Sequence, residues 1–199
     1  TGELTLLERT KLLDAQGKYI RAAAQRSQGD LAGAKVSLLQ AQSELLDVRR
    51  GRIVSILWLR AQVLTELAQI ADREGDKGQA EAYFAQAINV METNYPASPA
   101  LVSARAEFAG FLARNGREQE ALELYREMVT GADTKPAFAL RSLLAPYFDL
   151  LAETGGGNGV AEEMFVASQL LQRPGLAQTQ AVLARELSGG SDEAAQLFR

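Results

Sequence analysis

Apolar residues recur along the chain at intervals of three and four positions, and short polar or glycine-containing segments separate these stretches. This spacing is typical of amphipathic α-helices that bury one face. It predicts helices over about residues 4–26, 31–49, 53–73, 77–94, 99–114, 118–130, 137–153 and 160–171. Two more helices are predicted over residues 176–187 and from residue 192 to the end. The chain is therefore expected to be all-α.

Two of the predicted helix pairs carry the same sequence pattern. The matched positions are Leu67 and Phe108, Ala68 and Ala109, Gly75 and Gly116, Ala80 and Ala121, Phe84 and Tyr125, and Ala87 and Met128. The glycine supplies the left-handed backbone that ends the first helix. The small residues let two antiparallel helices approach closely, and the aromatic ring fills the gap that remains. This order of residues is the tetratricopeptide (TPR) pattern.

The repeat predicts a domain built from several stacked helix pairs. Ala80 and Ala121 are 41 residues apart, longer than the roughly 34 residues of a standard TPR, and weaker copies flank the central two. We expect one TPR-like domain over residues 1–199, an α-solenoid in which antiparallel helix pairs form a right-handed superhelix. Its repeats are expected at about residues 4–48, 53–94, 99–130 and 137–171, with trailing helices over residues 176–199. The alternative is an irregular helical bundle with a chance similarity.

Three local segments predict where helices begin, bend or end. Ser98 followed by Pro99 predicts a capped helix N-terminus. Pro146 lies inside the seventh helix and removes a backbone donor, so we expect a kink or a restart there. Residues 155–159 contain four glycines and one asparagine. They match neither spacing of the known phosphate-binding loops, so they predict a flexible turn between helices.

Two further features have both a structural and a ligand-binding interpretation. Residues 49–52, Arg-Arg-Gly-Arg, are interpreted as a helix C-terminus whose cations suit the helix dipole, with Gly51 as its cap. The alternative is an anion-binding patch. Trp58 is the only tryptophan of the chain. It is interpreted as a core aromatic at a repeat junction, and the alternative is a platform for a ligand or cofactor.

The chain contains no cysteine and no histidine. Thiolate nucleophiles, disulfides, Cys/His metal sites and imidazole bases are therefore excluded, and no Ser-x-x-Lys motif occurs. Carboxylates are left as acid–base candidates, notably the clusters of Glu118, Glu120 and Glu123 and of Glu162 and Glu163. Both clusters are interpreted as solvated helix surfaces. We predict that the chain is not an enzyme and binds no cofactor and no metal.

Charge and hydropathy narrow the class of partner. The net charge is −4 and the pI about 5.1, which argues against nucleic acid as the main partner. No apolar run reaches the roughly 18 residues that span a bilayer, so no membrane span is expected. The first residues resemble neither a start methionine nor a signal peptide, and we expect a piece of a longer protein. The absence of cysteine is compatible with cytoplasm or periplasm, so it does not assign a compartment.

A stack of helix pairs presents the inner helix of each pair along a groove. Side chains that packing does not use can face a protein or peptide there. The groove candidates are Tyr19, Arg26, Gln62, Thr65, Gln69, Arg73, Ser103, Ala106, Gly110 and Arg114. For each of them a solvated surface residue is the alternative. The paired lysines and asparagines of TPR pockets that clamp a C-terminal carboxylate are missing, so that ligand class is not expected.

Several stretches resemble one particular protein family. They are residues 56–62 (ILWLRAQ), 94–96 (NYP), 112–118 (LARNGRE) and 180–190 (QAVLARELSGG). Together they resemble the N-terminal helical-repeat region of bacterial CHAT-domain proteins, which join TPRs to a caspase-like C-terminal domain. The histidine and cysteine of that protease-like domain have no counterpart here, so no catalytic residue is carried over. The resemblance implies a recognition or regulatory arm, in the bacterial cytoplasm or periplasm, with any proteolysis lying beyond Arg199.

These observations lead to two main functional hypotheses. The first is a protein–protein interaction scaffold that recruits substrates or regulators to a tethered caspase-like domain. Such a scaffold is expected to be monomeric and to bind through Gln62, Gln69 and Arg114. The second is a structural repeat for self-assembly, whose association a charge at Ala106 is expected to abolish. An enzyme in its own right is a third alternative, and the identity of the partner and the oligomeric state are left open.

Overall fold

In a computed structural model of the chain, the described residues are 3–96, 98–131, 140–153 and 158–169. They form α-helices and two short 3₁₀ turns, and they contain no β-strand. The helices are α1 (Leu6–Ser27), α2 (Leu31–Asp47), α3 (Leu57–Glu74), α4 (Lys77–Asn94), α5 (Pro99–Arg114), α6 (Glu118–Gly131), α7 (Leu140–Glu153) and α8 (Asn158–Gln169). The all-α class is confirmed. The predicted helices over residues 176–187 and from residue 192 lie outside the described residues.

The chain divides into two compact units, residues 1–111 and residues 112–199. In the first unit α1 packs against α2, α2 against α3, and α3 against α4. In the second unit α6 packs against α7, and α7 against α8. That all these helices belong to a single repeat domain stays a prediction.

Three helix ends share one turn geometry. Gly29, Gly75 and Gly116 have φ angles of 82°, 81° and 78°. The amide that follows each glycine donates to the carbonyl five residues earlier, over 2.9 Å, in the pairs Asp30–Gln25, Asp76–Ala71 and Arg117–Leu112. This arrangement satisfies carbonyls that the end of a helix leaves without a partner. The predicted role of Gly75 and Gly116 as helix terminators is confirmed.

Side-chain caps begin several of the helices. The Asp30 carboxylate accepts the amide of Gly33 at the start of α2, and the Asp76 carboxylate accepts the amide of Gln79 at the start of α4. Ser98 Oγ accepts the amide of Leu101 over 3.3 Å, which confirms the predicted N-terminus of α5. Each cap satisfies an amide that the first turn of a helix cannot pair internally.

Small and aromatic residues fill the cores of the two units as the repeat pattern requires. The alanines and aromatic rings at the matched turn-following positions, Ala80, Phe84, Ala121 and Tyr125, are all buried. In the first unit the ring of Phe84 lies 5.6 Å from that of Phe108 and 5.4 Å from that of Phe111, centroid to centroid. In the second unit Tyr125 stacks on Tyr147 at 5.0 Å. Burying a large apolar side chain such as that of Phe84 stabilises the fold by roughly 1.5–3 kcal/mol.

The connection between α2 and α3 differs from the prediction. Helix α2 ends at Asp47 with Val48 as its C-cap, so the interpretation of Gly51 as the cap is wrong. Arg49 and Arg50 adopt left-handed φ angles of 48° and 57° within a 3₁₀ turn. The Arg49 guanidinium there donates to the Glu8 carboxylate of α1 at 2.9 and 3.1 Å. This hydrogen bond, with that from the Thr5 amide, lowers the pKa of Glu8 to about 2.

Helix α3 begins at Leu57, four residues later than predicted. A 3₁₀ turn, Val54–Ile56, precedes it, and no side chain caps its first turn. The residues before it, Ile53, Val54 and Ile56, are β-branched, which lowers their preference for helix. The apolar periodicity of the segment therefore extends further than the helix.

Two predictions about the second unit are also corrected. A restart at Pro146 is wrong, because α7 runs through that residue from Leu140 to Glu153. The neighbouring Leu144 and Tyr147 are buried, and their packing offsets the hydrogen bond that proline removes. Helix α8 begins two residues before its predicted start, so Asn158 and Gly159 belong to its first turn. Residues 154–157 of the predicted turn lie outside the described residues.

No helix in the described ranges combines the length and the apolar character needed to cross a bilayer.

The left-handed turn at Gly75 generates a stability prediction. Gly75→Ala is expected to destabilise the protein by roughly 1–2 kcal/mol, because an L side chain disfavours a φ of 81°. A Cβ at this position meets no atom within 4 Å, so the cost is conformational rather than steric. The matched control is Gly17→Ala inside α1, also in open space, which is expected to stabilise by roughly 0.5–1 kcal/mol. Urea denaturation measures both, and destabilisation by Gly17→Ala would contradict this account.

Candidate functional site

A cavity of about 210 Å³ opens within the first unit, and helices α1, α3, α4 and α5 supply its wall. We call it the groove pocket. Its wall consists of Tyr19, Trp58, Ala61, Gln62, Thr65, Glu66, Gln69, Met91, Ala100, Ser103, Ala104 and Glu107. The contributions of α3 are spaced three and four residues apart, which places them on one face of that helix. The pocket therefore joins side chains from residues far apart in the sequence.

Five of the groove candidates predicted from the sequence line this pocket. They are Tyr19 of α1, Gln62, Thr65 and Gln69 of α3, and Ser103 of α5. The inner-helix spacing that selected them thus identified residues that the structure brings together. Their role in binding a partner stays a prediction.

A chain of polar contacts joins helices α1, α3 and α5 at the pocket. Arg26 Nη1 of α1 lies 2.5 Å from Glu66 Oε2 of α3 and donates to Gln69 Oε1 over 3.1 Å. Gln69 Nε2 donates in turn to Glu107 Oε2 of α5 over 2.6 Å. These contacts link α1 to α3 and α3 to α5.

Burial changes the acid–base properties of two pocket residues. It raises the pKa of the Glu66 carboxyl, although the charge of Arg26 and its hydrogen bond act in the opposite direction. Burial, reinforced by the nearby charge of Glu66, also raises the pKa of the Tyr19 hydroxyl. Desolvation disfavours the charged form of each group. The buried Glu66 carboxyl therefore loses its proton less readily than an exposed glutamate does.

The other predicted groove residues lie elsewhere. Arg26 does not line the pocket but pairs with Glu66 of its wall, and Arg73 is exposed at the last turn of α3. Ala106, which is only 2% exposed, and Gly110, which is buried, do not belong to the wall of the groove pocket. Arg114 is exposed and belongs to the second unit. A charge placed at Ala106 would be buried, so it would test folding rather than assembly.

Three pocket residues were not among the predicted candidates. Trp58 is 43% exposed, so its interpretation as a core aromatic is wrong. Its indole N–H donates to the carbonyl of Ser55 over 3.1 Å, which holds the ring at the start of α3. Glu66 and Glu107 are the other two, and they occupy equivalent positions 41 residues apart in the two central repeats. Both central repeats carry a glutamate directly after a predicted groove position, and this recurrence was a signal in the sequence that could have identified Glu66 and Glu107.

A second cavity, of about 390 Å³, lies in the second unit between α6, α7 and α8. Arg126 Nε and the Tyr147 hydroxyl lie 3.1 and 3.3 Å from Glu163 Oε2. Burial, with the charge of Glu163, raises the pKa of Tyr147 to about 12. Glu163 therefore borders a cavity beside an aromatic residue, which corrects its interpretation as a solvated surface residue. A tyrosine that keeps its proton at neutral pH is a poor general base.

The remaining acidic candidates lie on the surface. Glu118, Glu120 and Glu123 are exposed, as expected for solvated helix faces. Glu162 is exposed as well and borders the second cavity. Arg117 donates to Glu120 over 2.6 Å and lowers the pKa of that carboxyl. In the described part of the chain, no group of three or more acidic side chains is arranged to hold a metal ion.

Comparisons with known proteins add no relative to this description. No protein-family model, no curated protein and no solved structure matches the chain. The groove pocket and the repeat pattern are therefore the observations on which a function can be proposed.

Proposed function

We propose that this chain is a TPR-like protein-interaction scaffold that binds a peptide segment of a partner protein in the groove pocket. One observation carries the proposal. The pocket draws most of its wall from α1, α3 and α5, the first helices of successive pairs in the repeat pattern. In a helical solenoid those are the helices that line the ligand-binding face.

The packing of the first unit supports a stack of helix pairs. Helix α1 packs against α2, α2 against α3, and α3 against α4. Polar contacts through Gln69 additionally join α3 to both α1 and α5. The turns at Gly29, Gly75 and Gly116 repeat the same hydrogen bonds. Contacts between neighbouring pairs, together with a repeated turn, are what a solenoid of helical hairpins requires.

The size and the lining of the pocket favour a peptide side chain as its occupant. Sites for small molecules and cofactors usually enclose roughly 300–1,000 Å³, and this pocket encloses about 210 Å³. Its wall combines apolar groups such as Met91 and Ala104 with polar groups such as Gln62 and Thr65. A peptide docked along a groove uses such pockets for individual side chains.

Blocking the pocket is expected to abolish peptide binding. Ala100 is an exposed residue of the pocket wall, so Ala100→Trp should fill the cavity without disturbing the core. Ala85→Trp is the matched control on an exposed position of α4 outside the pocket wall. Peptides are selected from a random display library against the wild-type chain, and their affinities are measured by fluorescence anisotropy. We expect Ala100→Trp to weaken binding at least about tenfold, roughly the effect of losing 1.4 kcal/mol, and Ala85→Trp to retain it.

Either of two results overturns the peptide-binding proposal. One is a library that yields no binding peptide. The other is a set of binding peptides whose affinity Ala100→Trp leaves unchanged while the variant unfolds at the wild-type temperature.

We propose further that the scaffold is the recognition or regulatory arm of a longer bacterial protein with a caspase-like CHAT domain. The support for this part is the sequence resemblance alone. An antibody raised against this chain is expected to detect, in an immunoblot of the host, a species far larger than 21.5 kDa. A species close to that mass would contradict the tethered arrangement and favour a free-standing adaptor.

Self-assembly is a second candidate function, and an exposed apolar stripe on α1 favours it. Leu6, Leu13 and Ile20 are 83%, 67% and 66% exposed and lie seven residues apart, as on the contact face of a coiled coil. The small residue Gly17 lies between the last two and allows close approach of a second copy.

Placing a charge on this stripe is expected to dissociate the assembly. Analytical ultracentrifugation over a range of concentrations should show wild-type mass rising with concentration, and Leu13→Lys should give a monomer throughout. Val54→Lys introduces the same charge at an apolar residue of similar exposure outside α1 and should associate like the wild type. A monomeric wild-type chain at every concentration would exclude self-assembly through α1.

A further inference from the structure

We propose that the connection between α2 and α3 carries a binding site for a phosphate group, either free phosphate or the terminal group of a phosphomonoester. The site consists of Arg50, Arg52 and Arg60, and we call it the arginine site. None of these residues belongs to the wall of the groove pocket, so phosphate binding is independent of the proposed peptide binding. An anion-binding patch is the alternative interpretation of residues 49–52 from their sequence.

The turn that carries the site is held in place by Arg49. The guanidinium of Arg49 donates to the Glu8 carboxylate and, over 2.8 Å, to the carbonyl of Glu3. Arg50 and Gly51 follow with left-handed φ angles of 57° and 67°. A left-handed backbone is uncommon at a residue other than glycine, and such conformations are concentrated at functional sites. The contacts of Arg49 therefore keep Arg50 in a conformation that it would rarely adopt by itself.

The guanidinium of Arg60 lies directly against this turn. A Cβ placed on Gly51 would lie 3.4 Å from Arg60 Nη1. The Arg60 side chain is only partly exposed, and its buried Nε has no hydrogen-bond partner. A cation held partly out of water without a counter-charge is unfavourable, and a buried donor without an acceptor requires an explanation. Because a guanidinium delocalises its charge, an anion that reaches the Nη atoms would compensate the whole group.

The two exposed arginines of the turn have no protein partner either. In the ranges that the structure describes, the side chains of Arg50, Arg52 and Arg60 form no hydrogen bond and no ion pair. Arg50 and Arg52 are exposed and lie on either side of Gly51 in the sequence. Long exposed side chains at these two positions can close on a ligand that Arg60 binds.

The carboxylates nearest to the site along the chain already have cationic partners. Asp47 precedes the turn and pairs with Lys11 at 2.9 Å. Glu66, the first acidic residue after the turn, pairs with Arg26 at 2.5 Å. The arginine site is therefore a cluster of uncompensated cations on a chain whose net charge is −4.

The chemistry of the cluster favours phosphate over other anions. The paired N–H donors of a guanidinium match the oxygens of a phosphate group. A phosphate ester offers three acceptor oxygens and a charge of roughly −1.5 to −2 at pH 7, whereas a carboxylate offers two oxygens and a single charge. A long polyanion such as nucleic acid would be repelled by the net negative charge of the chain. A small ligand with a phosphate group therefore fits three neighbouring arginines best.

Calorimetric titration and thermal unfolding of the full chain test the proposal. Inorganic phosphate, methyl phosphate and acetate are compared at equal ionic strength, with sodium chloride as the balancing salt. We expect the two phosphate compounds to bind saturably and to raise the unfolding temperature, and acetate to bind at least about tenfold more weakly. Tighter binding of inorganic phosphate would identify the free ion as the ligand, and tighter binding of methyl phosphate an ester.

Replacement of Arg60 separates binding from structure. Arg60→Met keeps an unbranched side chain and removes the charge, so it should weaken phosphate binding at least about tenfold. Without phosphate it should be at least as stable as the wild type, because an unpaired cation is lost. The matched control is Arg21→Met, which changes an exposed arginine of α1 about 20 Å along that helix from Glu8. It should bind phosphate like the wild type.

A second variant tests the exposed half of the site even if Arg60→Met fails to fold. Arg50→Asn combined with Arg52→Gln removes both exposed charges, and asparagine tolerates the left-handed backbone. This variant should also bind phosphate at least about tenfold more weakly. Phosphate stabilises many proteins through its exclusion from their surface, so a rise in unfolding temperature shared equally by the wild type and these variants would overturn the proposal.

Two further results would overturn it: no saturable binding of either phosphate compound, and binding of acetate as tight as that of phosphate. Ala100→Trp, which fills the groove pocket, should leave phosphate binding unchanged. The failure of phosphate binding and the failure of peptide binding are therefore distinguishable.

Discussion

The close approach of helices through buried alanines is the constraint on which the first unit depends. Ala15, Ala22, Ala34, Ala41, Ala68, Ala80 and Ala87 are all buried where helices pack. Side chains this small bring helix axes close together, at the short end of the usual 8–10 Å range. Short separations allow polar side chains at the edge of the packed faces to reach a neighbouring helix. The contacts of Arg26 and Gln69 across α1, α3 and α5 follow from that spacing.

The same spacing explains why a cavity persists beside a closely packed core. Trp58 stays at the start of α3, where its indole nitrogen donates to the Ser55 carbonyl. Small residues such as Ala61 and Ala104 line the same cavity. Small residues that favour close packing in the core thus leave open volume at its edge. Glu66 and Glu107 border that volume, so polar as well as apolar groups line it.

Local signals predicted most of the helices, and long-range contacts account for the main errors. The ends of α4 and α5 coincide with the prediction. Glycine, aspartate, serine and proline start or end a helix within a few residues of their own position, so the local sequence is sufficient to place these ends. The turn at Arg49 depends instead on Glu8, 41 residues away, which no local pattern reveals. Thr65 and Ala106 hold equivalent repeat positions, yet only Thr65 reaches the pocket. The spacing of residues along a helix predicts which side chains share a face, whereas the neighbouring helices determine whether that face is buried.

Gln69 gives the groove pocket a mechanical role as well as a chemical one. Its amide uses one end to accept from Arg26 and the other to donate to Glu107, so a single side chain holds three helices in register. Replacing Gln69 by a side chain that cannot both accept and donate therefore removes hydrogen bonds on two sides of α3 at once. One residue at the edge of the core thus couples two helix interfaces, and a change at either interface reaches the other through it.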